Sequence, residues 1–227
     1  MALDYPNFLL NFKIYEGTAG TDGLALAKTI ESVAKATDGT FVVAPQTPDI
    51  ERIGRQTSLP VVAQSVDSVH PGRGNGRISL PAVEAAGADG VLINHPESQS
   101  TFSETAELIA GCAKRDLESI VCVDSIEMGR GALAFDPDCL LFENPEDIAT
   151  EQPMTETHPE RIEAFVTMVA EVNPQTSVLL GGGVSTGADV RRALELGADG
   201  AGAASAFIDA SDKDGWLSSI AESLVEQ

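Results

Sequence analysis

The chain has 227 residues, 43% of them hydrophobic and 22% charged, long enough to bury roughly 70% of its unfolded surface and too long for a small scaffold held by disulfides. Thirty-five acidic residues stand against 14 basic ones, a formal net charge of −21; the basic residues occur singly or in pairs, which argues against nucleic acid or an anionic membrane as partner. No uncharged apolar run approaches the ~20 residues that span a bilayer, and Cys112, Cys122 and Cys139 have neither CxxC nor Cys/His ligand spacing, so neither a disulfide framework nor a metal site is expected. Along the chain, residues 8–12 form the first strand candidate and 23–36 the first clear helix. Strand candidates 40–44, 61–64 and 90–93 follow, then a helix over 102–115. Residues 119–123 and 139–142 are strands five and six, before a helix over 159–172. Strand seven is 177–180, the helix after it 188–196, and strand eight 200–203. Eight strands apolar on both faces and separated by helices mean parallel pairing. With no linker or composition shift, one closed (β/α)8 barrel over residues 1–227 is predicted as a single domain.

The acidic residues are spread along the chain, as in Asp49/Glu51, Glu104/Glu107 and Glu160/Glu163. Their repulsion destabilises a compact state in dilute buffer but is screened where the Debye length falls to about 3 Å, near 1 M salt. A salt-rich, halophilic setting is therefore expected. Met1-Ala2-Leu3-Asp4 lacks the basic start and apolar segment of a secretory signal, so the expected compartment is the cytoplasm.

In such a barrel the chemistry stands at the carboxyl ends of the strands. Strand one ends in Asn11-Phe12-Lys13, strand three leads to Gln64, strand four to Asn94-His95-Pro96-Glu97, and strand six to Glu143-Asn144-Pro145. An ammonium, an imidazole and a carboxylate aimed at one mouth suit proton transfer beside a carbonyl. Each also has a plain structural reading: a core histidine, a surface lysine, a capping glutamate. Gly181-Gly182-Gly183 after strand seven offers close backbone approach and free N–H groups, the basis of phosphate binding, or else makes a tight turn. Gly72-Arg73-Gly74-Asn75-Gly76 reads as a flexible loop, and no Walker A pattern, nucleophile elbow or dinucleotide fingerprint occurs.

Asn11-Phe12-Lys13, Gln64 with Asp67, Asn94-His95 with Glu97, Phe142-Glu143-Asn144-Pro145-Glu146, Gly181-Gly182-Gly183 and Gly197-Ala198-Asp199-Gly200 together resemble the triosephosphate isomerase family in its short archaeal form, over essentially the whole chain and in the same order. The resemblance implies a TIM barrel that assembles as a tetramer and interconverts two triose phosphates, a step of glycolysis and gluconeogenesis, without a cofactor. It implies Glu143 as the proton-shuttling base, His95 as the electrophile, Asn11 and Lys13 holding the substrate and its charge, and Glu97 as a second carboxylate at the mouth. The backbone of Ala149, Gly182, Gly183, Ala204 and Ser205 would cradle the phosphate. Residues 145–150 would be the lid. A helix beginning after His95, with Pro96 at its first position, would keep the imidazole neutral through its dipole.

The family pattern reads His-Ser-Glu, a double proline after the glutamate and Ile-Gly-Thr-Gly in the lid, where this chain has His95-Pro96-Glu97, Asn144-Pro145 and Ile148-Ala149-Thr150-Glu151. These departures leave open a relative acting on another small ketose phosphate, such as a tetrulose phosphate. A non-catalytic phosphate-binding barrel is a further alternative. A Schiff-base aldolase fits less well, since Lys13 is the only lysine at a strand's carboxyl end and strand six presents Glu143.

Overall fold

The structure, a computed structural model, describes residues 3–143 and 153–225. Its strands are β1 (Asn7–Asn11), β2 (Phe41–Ala44), β3 (Val62–Ala63), β4 (Gly90–Ile93), β5 (Glu118–Val123), β6 (Cys139–Phe142), β7 (Ser177–Leu180) and β8 (Gly200–Ala203). Helices α1 (Gly20–Thr37), α2 (Ile50–Gln56), α3 (Leu80–Ala85), α4 (Phe102–Ala113) and α5 (Ile126–Ala132) separate the first six. The remaining helices are α6 (Met154–Thr157), α7 (Pro159–Val172), α8 (Gly187–Glu195), α9 (Ser205–Asp209) and α10 (Lys213–Val225).

All neighbouring strands pair in parallel, in the order β2-β1-β8-β7-β6-β5-β4-β3, and a parallel bridge between Val43 and Val61 joins the two ends into a ring. This is the (β/α)8 barrel read from the sequence. Strand residues are buried on both faces because each sheet face meets a core. Leu9, Val42, Ala44, Val62, Leu92, Ile120, Leu141 and Leu179 fill the interior. Phe8, Leu10, Phe41, Val43, Val121 and Phe142 face outward against the helices. A parallel Phe142–Phe165 stack, centroids 4.1 Å apart, seats α7 on β6.

Three aspartates placed just before strands β4, β6 and β8 use one device to lock the ring. Asp89 accepts from the N–H of Val61 at 2.8 Å, Asp138 from Ser119 at 2.8 Å and Asp199 from Val178 at 2.8 Å. Each carboxylate thus satisfies an N–H at or beside the start of the preceding strand, a donor that would otherwise lack a partner at that end of the ring.

Element boundaries fall within two residues of the reading of the sequence, except that α1 begins three residues earlier, at Gly20; the shortest strand among those described is β3. Its ladder holds only Val62 and Ala63, because Gln64 leaves the strand to donate from its side-chain amide to the carbonyls of Lys13 (3.1 Å) and Ala44 (3.0 Å). The loop containing Gly72, Gly74 and Gly76 is tied at its base by Asp67, which accepts from Arg77 at 2.6 Å and from the Ile78 N–H at 2.7 Å. Among the described residues no helix is long and apolar enough to cross a membrane.

Gly200 opens β8 with φ of +155°, and a Cβ there would overlap the carbonyl oxygen of Asn7 and lie 2.8 Å from Leu179 Cδ2. Neither the β1 backbone nor the filled interior can yield without distorting the β1–β8 ladder. Gly200→Ala is expected to destabilise the protein by about 3 kcal/mol or more, checked by denaturant unfolding against wild type at one salt concentration.

Candidate active site

A cavity of about 630 Å³ opens at the carboxyl end of the barrel, floored by Leu9, Leu141 and Gly202. Asn11, Lys13, His95, Glu97 and Glu143 reach it from β1, β4 and β6, and Gly182, Gly183, Ala204 and Ser205 border it after β7 and β8. The structure thus brings to one cavity the residues given catalytic, supporting or phosphate-binding roles from the sequence that lie among those described, while Gln64, Asp67, Asn94 and Gly181 do not line it. Ala149, the lid residues and Glu151 lie outside the described residues.

Two residues reach the mouth through left-handed backbone, uncommon for residues with a side chain. Lys13 (φ +42°) is held there by its own N–H, which donates to Asn11 Oδ1 at 2.9 Å, and by Gln64, which donates to its carbonyl. Asn94 (φ +60°) donates to the carbonyl of Cys122 at 3.0 Å and accepts from the N–H of Ser100 at 3.1 Å. That turn aims the following side chain, His95, across the mouth, where it is 8% exposed.

No helix begins at Pro96, contrary to expectation. Residues 95–98 form a tight turn closed by the Ser98 N–H on the His95 carbonyl at 2.7 Å, and α4 starts only at Phe102. The imidazole is kept neutral by closer forces. Burial and the Lys13 ammonium both hold its pKa below the ordinary histidine value, against the opposing pull of Glu97. The Glu97 N–H donates to His95 Nδ1 at 3.1 Å, so Nδ1 is the acceptor and the ring proton sits on Nε2.

Glu97 therefore acts twice: its backbone fixes the histidine tautomer while its carboxylate pairs with Lys13 Nζ at 2.9 Å. The Lys13 side chain is 16% exposed and the Glu97 side chain 62%. One end of the pair is thus sheltered by the pocket and the other is in water.

Glu143 follows β6, and its Oε2 is sealed from solvent with no hydrogen-bond partner among the described residues. Burial pushes the carboxyl pKa up to about 7; Lys13 lowers it and Glu97 raises it further, neither by as much as burial. The space it occupies exists because residue 181 is glycine: a Cβ there would overlap the Glu143 carboxylate. Next to it, Gly182 and Gly183 have φ of +73° and +75°, a consecutive left-handed pair that side chains would oppose, and they turn the backbone around the cavity rim. Trp216 Nε1 donates to the Ser185 carbonyl at 2.7 Å, and Asp189 accepts from the N–H groups of Ser185 (3.0 Å) and Thr186 (2.8 Å), so this rim is anchored from α8 and α10.

Tyr15, Ser185 and Asp209 also line the cavity and did not emerge from the sequence. Ser185 and Asp209 lie within the loop and helix that follow strands seven and eight, a position that a scan of the whole βα segments, beyond the strand ends, would have flagged. Among the described residues no group of three or more His, Cys, Asp or Glu side chains is arranged to hold a metal ion.

Because the folded protein holds the Glu143 proton more tightly than the unfolded chain, ionisation of this group subtracts from stability. The stability associated with the protonated carboxyl is fully present below the ordinary value of 4.5 and is lost as pH rises through about 7. Glu143→Gln is expected to be more stable than wild type by roughly 1–3 kcal/mol near pH 8 and nearly equal near pH 5, as measured by chemical unfolding at both pH values.

A family model described as triosephosphate isomerase matches residues 6–224. The triosephosphate isomerase of Methanobrevibacter smithii is 38% identical over 208 residues, covering 92% of this chain and 94% of that protein. That of Methanothermus fervidus is 36% identical over 211 residues, covering 93% and 95%. The crystal structure of triosephosphate isomerase from Bartonella henselae superposes with a TM-score of 0.68 at 15% identity, over 87% of this chain and 92% of that one, a likeness of fold.

Proposed function

The chain belongs to the triosephosphate isomerase family, and from that membership we propose how the residues at the barrel mouth divide the work of interconverting dihydroxyacetone phosphate and glyceraldehyde 3-phosphate. The reaction moves a proton between two adjacent carbons through an enediolate, so it needs a base, an electrophile for the carbonyl and compensation of developing charge. The observation that carries the assignment is the Glu143 carboxyl, which lines the cavity with one oxygen sealed from solvent, no hydrogen-bond partner for that oxygen among the described residues, and a pKa raised to about 7. A base is most effective when its pKa lies near the working pH, and neither a surface carboxylate nor a helix cap would be raised in this way.

Glu143 then takes the proton from one carbon and returns it to the other, the family's glutamate base. His95, neutral with its proton on Nε2, donates to the substrate carbonyl, the family's neutral histidine electrophile. A neutral imidazole suits this role because its hydrogen bond strengthens as the oxygen acquires charge. Lys13 supplies the positive charge beside that oxygen. Asn11, which fixes the Lys13 backbone, also faces the substrate. The N–H groups around Gly182, Gly183, Ala204 and Ser205, joined by Ala149, cradle the phosphate. The left-handed turn at the two glycines and the start of α9 support that reading, since the first N–H groups of a helix have no acceptor within it.

The proposal extends to the setting. One catalytic domain over residues 1–227 works in a salt-rich cytoplasm, in glycolysis and gluconeogenesis, as a homo-oligomer, a tetramer by family likeness. The net charge of −21 is the observation behind the salt-rich setting.

Turnover assays with triose and tetrose phosphates in molar KCl test the whole reading. Interconversion of the trioses supports it, a preference for tetroses would replace the substrate, and binding without exchange of substrate protons with solvent would leave a phosphate-binding barrel. Glu143→Gln should cost on the order of 10²–10⁴ in kcat with inorganic phosphate binding nearly unchanged. In a pH profile of kcat/KM, corrected for substrate phosphate ionisation near 6, the acid limb should lie near 7 and not in the ordinary carboxylate range.

A further inference from the structure

The cavity that takes a phosphorylated substrate is poor in positive charge. Among the described residues its charged side chains are Lys13, Glu97, Glu143 and Asp209, and the one ammonium of these is paired with Glu97 at 2.9 Å. Asp209 has no part in the chemistry assigned above, and its position is specific. It ends α9, which Ser205 begins, so the two are four residues apart on one helical face. A helical side chain leans over the turn that precedes it, which sets the Asp209 carboxylate over the Ser205 edge of the phosphate cradle; both residues line the same cavity.

The fold does not require a carboxylate there. At the C-terminal end of a helix, negative charge opposes the helix dipole. The nearby Lys213 ammonium donates to the carbonyls of Ile208 (2.8 Å) and Ala210 (2.9 Å), closing the end of α9 5.7 Å from the Phe207 ring centroid, and forms no ion pair with Asp209 among the described residues.

We propose that Asp209 is a specificity-determining residue that weakens capture of the phosphate dianion at low ionic strength, so that substrate affinity rises as salt is added. The proposal rests on the phosphate reading of the cradle. A site that attracts a dianion binds it less well as salt screens the attraction; here the local term has the opposite sign, and screening removes a repulsion. Asp209 does not touch the reacting carbons, so its influence falls on KM and on phosphate binding, not on kcat.

The test compares wild type, Asp209→Asn and Glu222→Gln, the last neutralising an exposed carboxylate in the final turn of α10, outside the cavity. KM for glyceraldehyde 3-phosphate and the inhibition constant of inorganic phosphate are measured from about 0.1 M to about 1 M KCl, over the range in which circular dichroism shows all three folded. Asp209→Asn should lower both constants about three- to tenfold at the low-salt end and less than twofold near 1 M, with kcat within a factor of two; Glu222→Gln should match wild type throughout. Unchanged constants in Asp209→Asn, an equal effect of Glu222→Gln, or a shift independent of salt would each overturn the role of Asp209. If inorganic phosphate does not compete with substrate even in wild type, the phosphate reading of the cradle fails, an outcome distinct from competition that Asp209→Asn leaves unaltered.

Discussion

Parallel strands leave unpaired donors and acceptors along both edges of a sheet, and this chain removes both edges by closing the sheet on itself. The last join is narrow: β3 contributes two ladder residues, and the Val43–Val61 bridge completes the circle. The geometry elsewhere depends on that closure. A closed parallel ring directs the carboxyl end of every strand to one face, so residues separated by more than a hundred positions, such as Lys13 and Glu143, border one cavity. The aspartates before β4, β6 and β8 stabilise the opposite face, each holding an N–H at or beside the start of its neighbour. Stability is concentrated at one end of the barrel and chemistry at the other.

The mouth carries energetic costs of its own. Lys13 and Asn94 adopt left-handed backbone, and a Glu143 oxygen is sealed from solvent with no hydrogen-bond partner among the described residues. Each would relax if its surroundings permitted it. Gln64 and Asn11 fix the Lys13 turn, and Cys122 and Ser100 fix that of Asn94. The absence of a Cβ at Gly181 leaves room for the Glu143 carboxylate. Desolvation then raises the carboxyl pKa to about 7 and lowers that of the imidazole, so the carboxylate is poised as a base near neutrality while the histidine stays uncharged.

Electrostatics at the mouth depends on short-range arrangement more than on net charge. One ammonium lies among three carboxylates, within a protein of net charge −21. Lys13 nevertheless acts on both His95 and Glu143, because it is sheltered while its partner Glu97 is half in water. Fields of this kind act over a few ångströms and survive screening that would erase longer-range attraction. Hydrogen bonds from backbone N–H groups are equally insensitive to salt, so a phosphate cradle built from glycine backbone suits an acidic protein better than a cluster of arginines, which its own surface carboxylates would compete to pair.

Some of this was legible in the residues themselves. The alternation of short doubly apolar runs with amphipathic segments specified eight parallel strands, since only a sheet covered on both sides hides such runs from water. Strand ends carrying Lys13, His95 and Glu143 identified the mouth, because the barrel leaves its carboxyl ends no other place to point. What the neighbours of each residue do was decided by tertiary structure. The dipole of a helix expected after His95 gave way to a turn in which the Glu97 N–H sets the imidazole tautomer. The ion pair of Glu97 with Lys13, the space that Gly181 leaves for Glu143 and the placement of Asp209 beside Ser205 at the cavity all join residues distant in the chain or depend on the phase of a helical turn. The sequence determined which groups face the cavity, because strand periodicity is local; only the closed barrel decided their charge states and partners, because those depend on burial and distances that no local pattern encodes.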